Sequence, residues 1–157
     1  MMHEQEVRRM LADLRDEMIE LDAGVSGTTL AARFQYEYPY VRAEMGDSLY
    51  ESWLRKQANE IAKPPRSQQL TLPGLGEFPN TVTTFDGEGG FVYKRLAKAT
   101  EADLINDERI LCDNATAAIA SHMQSKQRNA AVIPVMQAHG FVTVAEAIAY
   151  LSAQVAS

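Results

Sequence analysis

The glycine-rich stretch DGEGG, residues 86–90, is the part of this chain whose residue types most resemble a site of chemistry. A glycine loop binds phosphate when it joins a strand to a helix, because backbone N–H groups and the helix N-terminus then face the anion. Here the three glycines join two β-rich runs, the two acids would repel a phosphate, and no Lys-Ser or Lys-Thr pair follows. The stretch is therefore predicted to be the turn of a β-hairpin, which needs residues with positive φ.

The residues that usually perform catalysis are scattered along the chain. His3, His122 and His139 share no metal-ligand spacing, and Cys112, the only cysteine, is predicted to lie near an apolar helix face as a small hydrophobe. The sequence contains no nucleophile elbow, no His-Glu metal motif and no kinase or nucleotidase signature. It therefore predicts a protein that is not an enzyme and that has no cofactor and no metal site.

A helix predicted at about 49–63 carries the main cluster of positive charge. At about 100° per residue, its polar residues form one stripe and its apolar residues the opposite one. The polar stripe contains Ser52, Arg55, Lys56, Asn59 and Lys63, and the apolar side contains Tyr50, Trp53, Leu54, Ala58 and Ile61. Such a stripe is either the ordinary solvated face of an amphipathic helix or the reading helix of a helix-turn-helix protein. The candidate nucleic-acid contacts are Arg55, Lys56, Asn59, Lys63 and Arg66.

Aromatic residues are concentrated in the segment FQYEYPY, residues 34–40. Tyrosine and tryptophan are favoured at protein interfaces, and aromatic rings can also stack on bases. The alternative is the core of a small helical domain with tyrosine hydroxyls at its surface. We expect Phe34 and Trp53 in the core and the tyrosines partly exposed. The candidate protein interface consists of Tyr36, Tyr38, Tyr40 and Tyr93.

The elements that must position these residues begin with a helix at about 3–22. Its apolar residues recur at steps of three and four, as a helix requires; they are Val7, Leu11, Leu14, Met18 and Leu21. Thr28 or Thr29 is expected to cap a second helix, which ends before Pro39. Asp47 or Ser48 is expected to cap the basic helix. Residues 66–80 are predicted to be a linker that packs on the surface through its leucines and Phe78.

The remaining residues predict a hairpin followed by helices. The strands cover 81–86 and 91–96, and the register is open: Phe85 faces Val92 with a two- or four-residue loop and Phe91 with a three-residue loop and a bulge. The exposed face of this ribbon is expected around Tyr93, Lys94 and Arg95. Thr100 caps one long helix that reaches about 125–129, with a single apolar face. That face contains Leu104, Leu111, Ala115, Ala118, Ile119 and Met123.

Two helical pieces complete the predicted C-terminal region. The first is kinked or begins near Pro134 and ends at Gly140. The second covers about 144–155 and begins with a capping box of Thr143 and Glu146. An alanine-rich seam at 115–119 allows close helix approach, either within the chain or in a homodimer.

Composition sets the class of protein. The chain has 157 residues with a net charge of −6, which weighs against a nucleic-acid binder that uses its whole surface. No apolar run approaches the ~18 residues of a membrane span, and the N-terminus has no apolar signal segment. We expect a cytoplasmic protein without a membrane partner. The fold class is mainly α with one β-hairpin, arranged as a helical region at 1–66, a packed linker at 67–80 and a hairpin with helices at 81–157.

The order LTLPGL, hairpin, LAKATEADL, long helix and VTVAEAIAYL, over residues 68–152, resembles small proteins of unassigned function from phages and prophages of actinobacteria. The resemblance implies a phage accessory or host-takeover protein, acting in the host cytoplasm, and it transfers no catalytic or binding residue. Together with the acidic first helix, it favours a non-enzymatic protein that binds another protein. The alternative is a helix-turn-helix-like regulator that binds nucleic acid through the basic helix.

Overall fold

The computed structural model describes residues 3–21, 24–46, 50–64, 69–87, 90–114 and 117–156. Within these ranges the chain is mainly helical with two antiparallel hairpins, which confirms the predicted α+β class. It divides into two compact units. The first consists of Met1–Pro64 with Phe85–Tyr93, and the second of Pro65–Thr84 with Lys94–Ser157.

Four helices form most of the first unit: α1, Glu4–Leu21; α2, Gly27–Glu37; α3, Tyr40–Met45; and α4, Tyr50–Ile61. The predicted spacing of α1 is confirmed, because Val7, Leu11, Leu14 and Met18 are all buried. They pack with residues from the other helices in one core that includes Phe34, Val41, Leu54 and Ala58. Removal of this apolar surface from water is the main force that holds the four helices together.

The start of α2 differs from the prediction. Ser26, and not Thr28 or Thr29, is the N-cap, and its hydroxyl accepts a hydrogen bond from the Thr29 N–H over 3.1 Å. Thr29 completes a capping box because its own hydroxyl accepts from the Ser26 N–H. The helix ends at Glu37, so the predicted stop before Pro39 is confirmed. The expected caps of α4, Asp47 and Ser48, lie outside the described residues.

The position after the cap brings α2 and α4 into close contact. A Cβ atom added at Gly27 would overlap the side chain of Asn59 and lie 2.9 Å from its Cα. Real Cβ atoms essentially never approach another heavy atom so closely. Glycine at this position therefore allows the two helix backbones to meet.

The segment expected to be a linker contains a second hairpin. Strands β1, Gln69–Leu72, and β2, Gly76–Pro79, pair antiparallel, with Leu70 opposite Phe78. The pattern was hard to recognise because each strand has only four residues and the turn contains proline and glycine. Leu72 and Phe78 are buried in the core of the second unit, so the expected packing of this segment is present.

The predicted hairpin consists of β3, Thr81–Phe85, and β4, Phe91–Arg95. The Asp86 N–H donates to the Gly90 carbonyl over 3.1 Å, and the rings of Phe85 and Phe91 lie 6.1 Å apart. Both observations agree with the three-residue-loop alternative, in which Phe85 faces Phe91. On the other edge of β4, Tyr93 and Val25 exchange two backbone hydrogen bonds of 2.8 and 2.9 Å.

The expected single long helix is wrong. A 3₁₀ turn, Leu96–Lys98, is followed by α5, Glu101–Asp113, by α6, Ile119–His139, and by α7, Val144–Ala156. Asn114 caps the end of α5 in an extended conformation, and asparagine is a weak helix former. The predicted apolar face is therefore split: Leu104 is buried in α5, whereas Ile119 and Met123 are 78% and 62% exposed on α6.

The helix α6 also runs through two positions where an end or a start was expected. It continues past 125–129 and contains Pro134 within its span, and it ends at Gly140, as predicted, with φ of 68°. The polar run SKQRN looked like a solvated helix end, but Ser125, Arg128 and Asn129 are buried. They are stabilised there by hydrogen bonds, as buried polar groups must be.

These buried groups form a network that connects α5, α6 and β3 in the second unit. Asp107 accepts hydrogen bonds from the Thr83 N–H, the Ser125 hydroxyl and the Arg128 guanidinium, over 2.8, 3.0 and 3.1 Å. Asn129 accepts from Arg128 and donates to the Leu104 carbonyl. The network fixes the hairpin strand to the helices by directional bonds in addition to apolar packing.

The two predicted helix starts of the second unit are present. Thr100 and Asp103 form a capping box at α5, and Asp103 also accepts from the Lys94 ammonium over 2.9 Å. At α7 the Glu146 carboxylate accepts from the N–H and the hydroxyl of Thr143, each over 3.3 Å. These contacts satisfy backbone donors that the first turn of a helix leaves unpaired.

Within the described ranges, no individual helix combines the length and apolar character needed to cross a membrane. The helices α6 and α7 reach that composition only when taken together, and the chain bends by 93° between them.

Candidate functional site

The tyrosine-rich segment is divided between core and surface. Phe34 is completely buried, as expected, and Tyr38 is half-buried, with its ring 5.0 Å from that of Phe34. Tyr36 points away from this core and is 84% exposed, and Tyr40 is 50% exposed with its ring edge-on to Tyr38 at 6.4 Å. The exposed aromatic surface is therefore formed by Tyr36 and Tyr40 around the half-buried Tyr38.

Three acidic residues lie close enough to this aromatic surface to influence Tyr38. Burial raises the pKa of Tyr38, and the carboxylates of Glu37 and Glu17 raise it further, with a smaller effect from Asp13. Glu17 and Asp13 belong to α1, so the acidic helix lies close enough to Tyr38 to act on its charge. The surface therefore combines exposed aromatic rings with the acidic residues of α1, while Glu37 is paired with Arg33 over 2.8 Å.

The fourth predicted interface residue, Tyr93, is in a different environment. It is half-buried against the core of the first unit, and burial raises its pKa. The expected exposed face around Tyr93, Lys94 and Arg95 is wrong, because Lys94 is half-buried on Asp103 and Arg95 is only 8% exposed. The exposed residues of the ribbon are instead Phe85 and Phe91, at 47% and 44%.

The polar stripe of α4 is present as predicted. Ser52, Arg55, Lys56 and Asn59 are exposed, while Leu54, Ala58 and Ile61 on the other side are buried and Trp53 is half-buried. Lys63 is exposed just after the helix ends, and Arg66 lies outside the described residues. Within the described part of the chain, Arg55, Lys56 and Lys63 make no ion pair, so their charge is available to a ligand.

A cleft of about 250 Å³ lies beside this stripe in the first unit. Its walls come from the start of α2, from Asn59 of α4 and from the tip of the β3–β4 hairpin. The lining residues are Ser26, Gly27, Thr28, Asn59, Asp86, Gly90, Phe91 and Tyr93. Two aromatic side chains, one carboxyl group and several polar groups therefore meet in one depression.

The geometry of the cleft follows from local structure. The pair Val25–Tyr93 holds the hairpin beside the start of α2, and Gly27 lets Asn59 approach the same point. The Asp86 carboxylate accepts from the Gly90 N–H over 2.9 Å, which fixes its position in the turn. A Cβ at Gly90 would lie 2.5 Å from the other Asp86 oxygen, so a larger residue here would force the Asp86 carboxylate to turn away.

Of the cleft residues, only Asn59 and Tyr93 were predicted to be contact residues, while Asp86 and Gly90 were predicted to form a turn. Phe91 was predicted to lie in a strand, Thr28 was predicted only as a possible helix cap, and no role was predicted for Ser26. A phenylalanine directly after a glycine turn could have indicated an exposed aromatic contact, because a hairpin tip seldom has a core on which such a ring can pack. The meeting of residues near positions 27, 59 and 90 depends on tertiary structure and has no local signature.

Cys112 and His139, two other residues capable of chemistry, lie outside the cleft. Cys112 is exposed, which corrects its expected role as a buried hydrophobe. His139, at the C-terminus of α6, stacks with Phe141 and contacts the ring of Tyr150 at 4.1 Å between centroids. Across the described ranges, no group of three His, Cys, Asp or Glu side chains is arranged to hold a metal ion.

Comparisons with protein-family models, with curated proteins and with solved structures find no match to this chain.

Proposed function

We propose that this protein is a non-enzymatic interaction module that binds another protein through the aromatic surface of Tyr36, Tyr38 and Tyr40. The observation that supports it most is the 84% exposure of Tyr36 on a helix whose opposite side is in the core. A large aromatic ring held in water by a rigid helix loses little conformational entropy when a partner covers it. Tyrosines of this kind often act as the anchors of protein interfaces.

The charge of the surface indicates the chemistry of the partner. Glu17 and Asp13 of α1 lie near Tyr38, and residues 1–22 contain seven acids and three arginines, whereas the charge of Glu37 is balanced by its ion pair with Arg33. A partner with basic side chains would therefore associate faster, and the association would slow as salt screens the charges. We propose a basic protein surface as the target.

Site-specific photo-cross-linking tests this proposal. A photoreactive residue is placed at Tyr36 and, as a control, at Gln127, which is exposed on α6 of the second unit, and the protein is irradiated in the cells that produce it. We expect one discrete cross-linked product from position 36, and this product should survive nuclease treatment. Its yield should fall when Tyr40 is replaced by alanine. Equal products from both positions, or products that nuclease removes, would exclude the proposal.

A second function is favoured by three exposed cations on and just after α4, which make no ion pair in the part of the chain that the structure describes. Arg55 and Lys56 are exposed on α4 and Lys63 is exposed just after its end, so within the described residues they can contact phosphates without first breaking an ion pair. We propose nucleic-acid binding through these residues as the alternative. Replacement of all three by glutamine should abolish a salt-sensitive shift with nucleic acid and leave the cross-link at position 36 intact. A shift that persists in the triple variant would exclude these residues as the binding site.

The biological setting that we propose is the one implied by the resemblance of the sequence to phage proteins. A phage accessory protein in the host cytoplasm is consistent with a small interaction module, and this setting stays a prediction. A homodimer through the alanine-rich seam at 115–119, of which Ala118 and Ile119 are exposed, is a further proposal that the oligomeric state in solution would test.

A further inference from the structure

The cleft beside α4 combines three chemical features that few ligands match together. Phe91 and Tyr93 provide aromatic surface, and Thr28, Asn59 and Asp86 provide polar groups. Lys56 lies three residues before Asn59 and Arg55 four before it, so both project from the same side of the helix as Asn59. Arg55 and Lys56 therefore place positive charge beside Asn59, at the edge of the cleft that this residue lines, and Asp86 is the only carboxylate among the described lining residues.

Simple ligands fit only part of this arrangement. A free phosphate in the cleft would meet the Asp86 carboxylate, and a lysine or arginine side chain of a partner would be repelled by the cations at the rim. An apolar ligand would leave the amide of Asn59 and the hydroxyl of Thr28 without partners, at a cost in desolvation. The Asn59 and Thr28 side chains make no hydrogen bond within the described residues, so both can serve a ligand.

A nucleotide fits every part. Its base presents a flat face for aromatic stacking, and its amino groups can donate hydrogen bonds to a carboxylate or an amide oxygen. Its phosphates would lie outside the cleft, within reach of the cations at the rim. The volume of about 250 Å³ is below the ~300–1,000 Å³ of pockets that enclose a drug-sized ligand. It therefore has room for one base while the sugar and phosphate remain outside.

We propose that the cleft binds one unpaired base of a single-stranded nucleic acid, stacked on Phe91 beside Tyr93, while Arg55, Lys56 and Lys63 contact the backbone phosphates. This proposal rests on the second of the two functions above, nucleic-acid binding, and specifies how the nucleic acid is bound. A base inside a duplex is stacked and paired and cannot enter such a cleft without being flipped out. The protein should therefore prefer single strands to duplexes.

The test is fluorescence anisotropy of the full chain with short labelled oligonucleotides, single-stranded and as the matching duplex, over a range of salt concentrations. We expect tighter binding of the single strand. Three phosphate contacts predict a slope of log K against log salt of about −2, since each contributes about −0.7 for single strands. Lys56→Gln should reduce the slope by about 0.7, whereas Lys126→Gln, exposed on α6, should leave it unchanged.

The hairpin tip provides a matched pair of variants. Phe91→Ala should weaken single-strand binding by about 5- to 150-fold, the range measured for loss of one base–aromatic stack. Phe85→Ala should leave binding unchanged, because Phe85 does not line the cleft. It is nevertheless as exposed as Phe91 and loses the same ring pair. Any damage to the hairpin itself is therefore equal in the two variants, and Asn59→Ala tests the cleft independently of the hairpin.

Each outcome separates the proposals. Equal effects of Phe91→Ala and Phe85→Ala, together with loss of binding in the triple glutamine variant, would overturn the base site and keep phosphate binding by α4. Tighter binding of the duplex than of the single strand would also overturn the proposed strand binding. So would displacement of the labelled strand by a mononucleotide at a concentration far below that of the unlabelled strand needed for the same effect. Absence of any binding at low salt would overturn both and would leave protein binding by Tyr36 unaffected.

Discussion

The Arg128 guanidinium donates to the Asp107 carboxylate over 3.1 Å, and both side chains are almost completely buried, with 2% and 7% exposed. Burial lowers the pKa of Arg128, and the charge and hydrogen bond of Asp107 oppose that effect. The pair is therefore held in a place where either charge alone would be poorly solvated.

Replacement of Asp107 by alanine should destabilise the protein strongly. It leaves the Arg128 charge unpaired and removes the acceptor of the Thr83 N–H. Loss of one partner of a buried ion pair costs about 3–5 kcal/mol in the free energy of unfolding, which urea denaturation measures. Asp113→Ala, exposed at the end of the same helix, should change stability by no more than about 0.5 kcal/mol. A loss below about 1 kcal/mol for Asp107→Ala would show that the network does not hold the strand.

The replacement Gly27→Ala should loosen the contact between α2 and α4. The added Cβ would overlap the Asn59 side chain and approach its Cα, so the backbones must move apart. Such overpacking costs about 1–3 kcal/mol, measured by urea or thermal unfolding. Because the overlap includes the backbone, a second change Asn59→Ala should restore only part of the loss. Full recovery in the double variant would show that the side chain alone limits the approach.

Removal of the Tyr50 hydroxyl is expected to stabilise the protein, whereas the two preceding replacements destabilise it. It is buried and has no hydrogen-bond partner within the described residues. Burial raises the pKa of Tyr50, partly opposed by the nearby charge of Arg42. Because an unsatisfied buried group costs about 1–3 kcal/mol, Tyr50→Phe should raise the free energy of unfolding by about 1 kcal/mol. Tyr40→Phe, at an exposed ring, should have no effect, and a loss of stability in Tyr50→Phe would reveal a partner for the hydroxyl.

Stability should fall in acid partly through Asp103. Burial pushes the pKa of Asp103 up, but hydrogen bonds from Thr100 and Lys94 and the charge of Lys94 outweigh it, so the pKa lies below its usual 3.8. A carboxyl with a lowered pKa stabilises the fold above its unfolded pKa of about 3.9. This contribution is lost as the pH falls through the folded value.

Two variants test this acid dependence. Asp103→Asn should flatten the loss of stability below about pH 5, measured by urea midpoints at several pH values. Lys94→Met should raise the pKa of Asp103, measured by NMR of its carboxyl carbon. Identical acid limbs in the parent and the Asp103→Asn variant would contradict the assignment.

The features that the sequence predicted correctly are those written in local patterns. The three- and four-residue spacing of α1, the cap at Thr100 and the glycine turn before Phe91 each depend on neighbouring residues only. The basic stripe of α4 was predicted for the same reason, since helical geometry alone brings Lys56 and Asn59 to one face.

The features that were missed depend on distant parts of the chain. The polar run at 125–129 looks solvated, and only the position of Asp107 on another helix explains its burial. The break at Asn114 was missed because apolar residues continue on both sides of it. The cleft needs Thr28, Asn59 and Phe91 in one place, which no periodicity within a single element can indicate.

The bridge between Val25 and Tyr93 has a consequence for the order in which the chain can fold. The first unit is discontinuous, because its helices end at Pro64 and its last β segment is Phe85–Tyr93. During synthesis the pairing of Val25 with Tyr93 can therefore form only after roughly 30 further residues have been added, which takes a few seconds at ~5–20 residues per second. Until then the Val25 backbone has no strand partner, and a fragment that stops at Pro64 would never acquire one.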